Sequence, residues 1–200
     1  SSIHALMQEP LDLPLDETRA RVTAPHYPAY DRTKAAGEAE VRKVVEKGLD
    51  AVIVHPTGVI GPCDYEPSRM GNVFLKLYRR KMPALIPGGF DFVDARDIVA
   101  GMLAAVEKGR TNESYLLGGH WQSVAQLAGI AEQVTGVKAP SATVPMGLAR
   151  AAAPLATTWA RLIKREPVFT AESLHALNGN PRMLHDKATR ELGYNPRPPL

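Results

Sequence analysis

Tyr30 and Lys34 stand four positions apart, in a segment that is rich in helix-forming residues. On a helix, residues four apart lie on one face, with about 5–6 Å between their Cβ atoms. An ammonium group at that distance favours the phenolate form of a tyrosine. A tyrosine tuned in this way can donate a proton to a developing alkoxide, or accept one from an alcohol. The pair therefore suits proton transfer at a carbonyl or alcohol oxygen.

A reductase would need two further components beside this pair. A nearby serine hydroxyl could hold the substrate oxygen in line and complete the catalytic triad of a carbonyl reductase or alcohol dehydrogenase. The hydride must come from a bound nicotinamide, because no side chain supplies one.

The tyrosine–lysine spacing can also arise by chance. Six tyrosines and nine lysines in 200 residues give about 0.3 pairs at this spacing in a random order. The pair by itself therefore also fits an ordinary solvated helix face.

Several other segments follow one another in an informative order. They are Ser1-Ser2, Ala-Ala-Gly-Glu38 directly after Lys34, His55-Pro-Thr-Gly-Val-Ile-Gly-Pro62, Phe92-Val-Asp-Ala-Arg-Asp97-Ile-Val, and Arg190-Glu-Leu-Gly-Tyr-Asn-Pro-Arg-Pro198. Together with the tyrosine–lysine segment they resemble the extended short-chain dehydrogenase/reductases, also called the NAD-dependent epimerase/dehydratase superfamily. Within it, the dihydroflavonol-reductase-like branch is the most similar. The resemblance covers nearly the whole chain.

This resemblance implies a role for each matching residue. Tyr30 would be the general acid in reduction, Lys34 would bind the nicotinamide ribose hydroxyls, and Ser2 would hydrogen-bond the substrate carbonyl. Tyr30 and Lys34 would thus contact the cofactor as well as take part in catalysis. The remaining implied cofactor contacts are Pro56, Thr57, Gly58 and Val59 beside the nicotinamide ring, and Ser68 on the phosphate side. His55 stands where the family usually has arginine, which puts any contact that depends on arginine in doubt.

The implied cofactor is NAD(P)(H), with NADPH slightly favoured. The chain has no GxxGxxG or GxGxxG sequence, although the family cradles the cofactor phosphates with such a loop at its first strand. In the family, this loop and the residue that chooses between NADH and NADPH both precede the catalytic serine. We therefore expect about 110–120 residues of the family architecture ahead of Ser1.

The expected fold class is α/β: the C-terminal part of a Rossmann-type doubly wound parallel sheet, with a smaller, mainly α substrate-binding lobe. Residues 1–62 and about 91–118 would form the remainder of the dinucleotide-binding domain. Residues 63–90 and 119–200 would form the lobe. The pattern predicts helices at 29–47, 73–81, 96–108, 123–136 and 187–192, and strands at 49–56, 90–95 and 114–119.

Two helices carry more specific signals. The helix over 96–108 has Ile98, Val99, Met102, Leu103 and Val106 on one face, as expected of an amphipathic helix. Ser123 and Gln126 have the spacing of a capping box, in which a serine oxygen accepts from the N3 amide and a glutamine reaches back.

Composition excludes several classes of protein. The single cysteine, Cys63, excludes an internal disulfide framework and a multi-cysteine zinc site, and the six histidines lack metal-ligand spacing. We therefore expect no metal site and interpret the histidines as structural or surface residues. A net charge of +3 without a clustered patch gives no reason to expect nucleic acid. No run of about 18 uncharged apolar residues predicts a membrane span, and a cytoplasmic location fits the cysteine usage.

Within the family, ketone or aldehyde reduction is favoured over sugar-nucleotide epimerisation or dehydration. Sugar-nucleotide members usually have an arginine that grips the pyrophosphate, whereas this chain runs directly from Ile86 into the strand at Phe90. The Ala-rich apolar stretch at 145–159 suits a pocket for an uncharged carbonyl or alcohol compound, although ordinary helix packing would explain it equally well. The sequence leaves the oligomeric state open; the family often pairs through helices that include the tyrosine–lysine helix, so a homodimer is one option.

Two alternatives from other classes make different predictions. A dinucleotide-sensing regulator that has lost its chemistry would have an incomplete Ser, Tyr and Lys set, whereas the set here is complete. A standalone interaction module that uses the basic surface around Arg79 and Arg80 would have to fold with an unpaired edge of a parallel sheet, which is unfavourable.

Overall fold

The computed structural model describes residues 1–162 and 171–197 of the chain, and their side chains apart from those of 156–162 and 171–172. The described chain divides into two compact units. The first contains Ser1–Pro62, Asp91–Trp121 and the chain from Asn180 through the last described residues. The second contains Cys63–Phe90 and Gln122–Gly179.

The first unit is built mainly from parallel strand pairs and the helices that follow them. Its elements are a 3₁₀ turn (Ile3–Ala5), α1 (Ala29–Val45), β1 (Ile53–Pro56), β2 (Gly58–Ile60), part of β3 (Gly89–Asp94), α3 (Ala95–Lys108), β4 (Ser114–Leu117), part of β5 (His120–Ser123) and α7 (Asp186–Leu192). β1 pairs in parallel with β4, and β2 pairs in parallel with β3. The strand order of the three-stranded sheet is β2-β3-β5. The predicted strands at 49–56, 90–95 and 114–119 are thus present, the first of them only over its last four residues.

The core of the first unit surrounds β4, whose residues are all buried. A parallel strand that is buried on both faces usually has a continuous run of apolar residues. This explains the sequence Tyr-Leu-Leu at positions 115–117 of β4. The core cluster consists of Val93, Ile98, Ala105, Tyr115, Leu117, Ala188, Leu192 and Tyr194.

Helix α3 packs on this core through its small residues. Of the five apolar residues predicted on one face, only Ile98 is buried; the other four are exposed, Val106 to 80%. A Cβ atom on Gly101 would lie 2.9 Å from Tyr194 and 3.0 Å from Leu117. The face that approaches the core therefore has to carry Gly101 and Ala105, and the large apolar residues beside them remain outside.

The C-terminal segment was expected in the substrate-binding lobe, but from Asn180 onward it belongs to the first unit. The hydroxyl of Tyr194 donates to the carbonyl of Gly118 at 2.8 Å, and Arg197 Nε donates to Asp97 Oδ1 at 2.9 Å. Asn180 donates to the carbonyl of Leu13 at 2.7 Å. The two residues in each of these contacts are about 80 to 170 positions apart in the sequence. The pattern of apolar and polar residues within one segment does not indicate such distant partners.

The second unit is mainly helical. Its helices are α2 (Arg69–Tyr78), α4 (Val124–Thr135), α5 (Met146–Leu162) and α6 (Ala171–Leu177). The predicted capping box at the start of α4 is confirmed, because Ser123 Oγ accepts from the Gln126 amide and the Gln126 side chain accepts from the Ser123 amide. Gly136 ends α4 and Gly193 ends α7, both with positive φ, as the sequence predicts. Over residues 1–162 and 171–197, every helix is too short or too polar to cross a membrane.

Candidate active site

Helix α1 brings Tyr30 and Lys34 together on one face. Lys34 Nζ lies 5.5 Å from the centroid of the Tyr30 ring. The Tyr30 side chain is half exposed, with 50% of its surface accessible, and Lys34 is partly buried. Pro28 precedes the helix with φ −51°, a value that a proline ring favours, so that Tyr30 falls in the first turn. The phenol is thus accessible to a substrate while a cation lies next to it.

The predicted serine lies in the segment that packs against α1. Ser2 is buried and begins the 3₁₀ turn, where its Oγ accepts a hydrogen bond from the His4 amide at 3.3 Å. A hydroxyl that accepts through its oxygen keeps its own proton to donate. Ser2 therefore keeps a hydroxyl proton to donate, and its contact with a substrate oxygen stays a prediction.

His4 connects the serine segment to Tyr30. Its ring lies edge-on to the Tyr30 ring, with 5.9 Å between centroids and an interplanar angle of 77°. His4 Nδ1 also lies 3.6 Å from Oδ1 of Asp31, which is buried. The sequence analysis interprets the histidines as structural or surface residues and does not indicate the contact of His4 with Tyr30. The only available signal was that His4 follows the serine pair by two residues.

The predicted nicotinamide loop lies where β1 ends and β2 begins. Pro56 is the last residue of β1, Thr57 is buried, and its amide donates to the carbonyl of Leu117 at 3.4 Å. Gly58 and Val59 open β2, and Val59 is exposed to 42%. The carboxyl ends of parallel strands are where α/β sheets bind ligands, so this loop has the position that a cofactor contact requires.

Asp91, in β3, contacts the chain that follows β4. Its carboxylate accepts from the Gly119 amide at 2.7 Å, and its side chain is buried. Burial raises the pKa of Asp91, although the hydrogen bond from the Gly119 amide favours its charged form. A buried polar contact of this kind helps to fix the backbone around Gly119.

Ser68 lies in the second unit, where its contacts are those of a helix cap. Its Oγ accepts from the Gly71 amide at 3.0 Å and donates to Asp64 Oδ2 at 2.9 Å. A cofactor contact at Ser68 stays a prediction.

His55, which stands where the family usually has arginine, is fully buried and contacts Glu38 of α1. Its Nε2 donates to Glu38 Oε1 at 2.6 Å, and the two side chains are 0% and 3% exposed. Ser1 Oγ also donates to Oε1, at 2.5 Å, and Arg21 Nε donates to Oε2 at 2.9 Å. Burial alone would raise the pKa of Glu38, but the hydrogen bond and charge of His55, with the hydrogen bonds from Ser1 and Arg21, lower it to about 2. Glu38 is therefore ionised at neutral pH.

A metal centre has no support among the described side chains, because no group of three or more His, Cys, Asp or Glu residues could hold an ion there.

Comparison with known proteins decides the family. Residues 5–118, more than half of the chain, match the profile of the NAD dependent epimerase/dehydratase family. The chain belongs to this family.

Individual members of the epimerase/dehydratase family are similar to this chain over much of its length. Sterol demethylase protein B of Methylococcus capsulatus is 37% identical over 169 residues, which is 84% of this chain and 52% of that protein. A Synechocystis protein with the provisional name dihydroflavonol 4-reductase is 36% identical over 135 residues, 66% of this chain and 38% of that protein. The chain thus spans about half the length, or less, of these curated relatives.

A solved family structure has the same fold. PA4631, a nucleoside-diphosphate-sugar epimerase from Pseudomonas aeruginosa, superposes with a TM-score of 0.81 at 27% identity, over 100% of this chain and 61% of that one. The predicted family and the predicted Rossmann-type α/β fold are therefore confirmed. The expected class of cofactor is confirmed too, because the family is NAD dependent.

Proposed function

We propose that the full-length protein is an NAD(P)-dependent oxidoreductase that reduces a ketone or aldehyde on a small, largely apolar substrate, or oxidises the matching alcohol. The observation that carries this proposal is the position of Lys34 Nζ, 5.5 Å from the centre of a half-exposed Tyr30 ring. In the epimerase/dehydratase family such a pair is the expected acid–base group.

Each residue of the proposed site has one task. Tyr30 donates its hydroxyl proton to the carbonyl oxygen as that oxygen becomes an alkoxide, and Lys34 stabilises the phenolate that remains. Ser2 donates a hydrogen bond to the same oxygen and holds it in line. When bound, the nicotinamide supplies the hydride. In the oxidation direction, Tyr30 accepts the proton of the alcohol.

The residues present fit a nicotinamide cofactor. Lys34 is partly buried beside Tyr30, and its three N–H donors suit ribose hydroxyls. Pro56, Thr57, Gly58 and Val59 lie at the carboxyl end of β1, and the exposed Val59 side chain offers an apolar contact for a ring. A slight preference for NADPH belongs to the proposal.

The substrate class rests on the relatives and on composition. One relative is named for a sterol and another for a dihydroflavonol, and neither name refers to a nucleotide sugar. Helix α5 is rich in alanine and leucine, and Ala149 and Ala153 are buried with Leu174 in an apolar cluster of the second unit. The support for an apolar substrate is the apolar composition of this lobe, since the cluster itself is packed core.

Sugar-nucleotide epimerisation is the second candidate. PA4631, which is similar in fold at 27% identity, is named for that activity. The two functions differ in cofactor balance: a reductase consumes NAD(P)H, whereas an epimerase returns the hydride and leaves the cofactor pool unchanged.

One experiment separates these functions. The full-length protein is supplied with NADPH or NADH and a panel of apolar ketones and aldehydes, and in parallel with nucleotide-diphosphate sugars. We expect stoichiometric loss of reduced nicotinamide with at least one carbonyl compound and none with the sugars. Interconversion of sugar epimers without net cofactor consumption would contradict the proposal.

A further inference from the structure

The carboxylate of Glu38 joins three segments of the chain that are far apart in sequence. Oε1 accepts from Ser1 Oγ at 2.5 Å and from His55 Nε2 at 2.6 Å. Oε2 accepts from Arg21 Nε at 2.9 Å. A single carboxylate has room for these three donors, because its two oxygens offer about four acceptor positions.

Two of these three contacts adjoin a residue of the proposed site. Ser1 directly precedes Ser2, and His55 directly precedes Pro56 and the nicotinamide loop. Glu38 itself lies one turn after Lys34 on α1, on the same helix as Tyr30. The carboxylate is therefore the point at which the serine segment, the acid–base helix and the cofactor loop are held to one another.

Burial makes this junction rigid. The side chains of Glu38 and His55 are 3% and 0% exposed, so their interaction is little screened by solvent. Arg21 is itself fixed, since its guanidinium also donates to Ser114 Oγ at 3.1 Å and to the carbonyl of Arg19 at 3.0 Å. A buried carboxylate with several charge-assisted hydrogen bonds tolerates little movement of its partners.

We propose that Glu38 is a positioning residue, which holds Ser2 and the 56–59 loop in register with Tyr30 and Lys34 without touching the substrate. The proposal rests on the proposed function for its kinetic consequence. Its structural consequence, a fixed cofactor loop, is independent of which reaction the enzyme catalyses. A misplacement of reacting groups by about 1 Å can cost about 10²-fold in rate, so even a small loosening has a measurable effect.

The test compares Glu38→Gln with Glu40→Gln in the full-length protein. Glu38→Gln keeps the shape and one oxygen acceptor but removes the charge that binds His55 and Arg21. Glu40 lies on the same helix, is 71% exposed and forms a surface ion pair with Lys43, so Glu40→Gln is a matched surface control. We expect Glu38→Gln to lower kcat at least tenfold and to raise the Kd of NADPH severalfold. Glu40→Gln should leave both constants within twofold of the wild type.

Hydrogen–deuterium exchange and variants of His55 separate a positioning role of Glu38 from a general loss of folding. Hydrogen–deuterium exchange should rise in segments 1–6 and 54–60 of Glu38→Gln, while the amides of β4 remain protected. His55→Gln should have a similar effect, and the double variant Glu38→Gln/His55→Gln should be no worse than the more damaged single variant. His55→Arg, which places a cation opposite Glu38, should retain at least a third of the wild-type kcat.

The outcomes distinguish this proposal from the proposed function. If the wild type consumes no NAD(P)H with any carbonyl compound, the proposed function fails, but the Kd of NADPH and the exchange at 54–60 still test Glu38. A folded Glu38→Gln with kcat, NADPH affinity and exchange at both segments unchanged overturns the positioning role. A variant whose only change is a lower Tm, with kcat unchanged in the folded protein, overturns it as well.

Discussion

The ammonium group of Lys34 lies 5.5 Å from the centre of the Tyr30 ring, one helical turn further along α1. The relationship follows directly from the spacing of the two residues, because a helix places residues four apart on one face. It puts a positive charge beside a half-exposed phenol, and the proposed chemistry depends on that charge.

Replacing Lys34 by Met should weaken cofactor binding and slow catalysis. Loss of the charge-assisted hydrogen bonds to ribose hydroxyls is expected to raise the Kd of NADPH about tenfold. Without the cation, the phenolate that remains after proton transfer is less stabilised, so kcat should fall as well. Titration of NADPH fluorescence and steady-state kinetics measure the two effects. Lys43→Met, which removes an exposed lysine of the same helix, is the control; an unchanged kcat in Lys34→Met would leave the electrostatic role without support.

The hydrogen bonds that Glu38 accepts from Ser1, Arg21 and His55 should make the stability of the protein depend on acidic pH. The folded-state pKa of Glu38 is about 2, below its ordinary value of 4.5, so the group contributes stability above pH 4.5 that is lost as the pH falls towards 2. A shift of this size corresponds to about 3 kcal/mol in the free energy of unfolding. The difference in Tm between wild type and Glu38→Gln should therefore be large at pH 6 and should shrink between pH 4.5 and 2. A difference that stays constant over this range would contradict the lowered pKa of folded Glu38.

Gly101 should be intolerant of any side chain. A Cβ there would lie 2.9 Å from the Tyr194 ring and 3.0 Å from Leu117, so α3 would have to move away from the core. We expect Gly101→Ala to lower the free energy of unfolding by about 1–3 kcal/mol. Gly37→Ala is the matched control, because Gly37 lies within α1 and a Cβ there meets nothing within 4 Å. That substitution should stabilise by about 0.5–1 kcal/mol. Denaturant unfolding of both variants measures the contrast, and equal effects would argue against close packing of α3.

The sequence predicts most elements of this fold but not how some of them are packed. The capping box at Ser123 and the terminal glycines Gly136 and Gly193 are local signals, and the structure confirms them. The exposed apolar residues of α3 show the limit of such signals. Periodicity identifies an apolar face, whereas close approach to Tyr194 selects the neighbouring face with Gly101. Strands β2 and β5 were not predicted, because each has only three or four residues and depends on pairing with distant chain.

The same distinction holds for the candidate site. Tyr30 and Lys34 can be predicted because they share one helix. The other predicted site residues depend on the resemblance of their segments to motifs of the family. The contact of His4 with Tyr30 and the contact of Glu38 with His55 join residues 17 or more positions apart. Nothing in their local sequence indicates these partners, so only the folded chain reveals them.

The most direct measurement is the rate of NAD(P)H-dependent carbonyl reduction by Tyr30→Phe in the full-length protein, beside the Kd of NADPH for the same variant. Tyr27→Phe is the control, because its hydroxyl, 3.2 Å from Glu9, has no part in the proposed proton transfer. Since Phe keeps the ring and loses only the proton donor, we predict that kcat falls by about 10²–10⁴-fold. We also predict that NADPH affinity stays within about threefold of the wild type, and that Tyr27→Phe keeps the wild-type kcat. Turnover at the wild-type rate in Tyr30→Phe would contradict the assignment of Tyr30 as the proton donor.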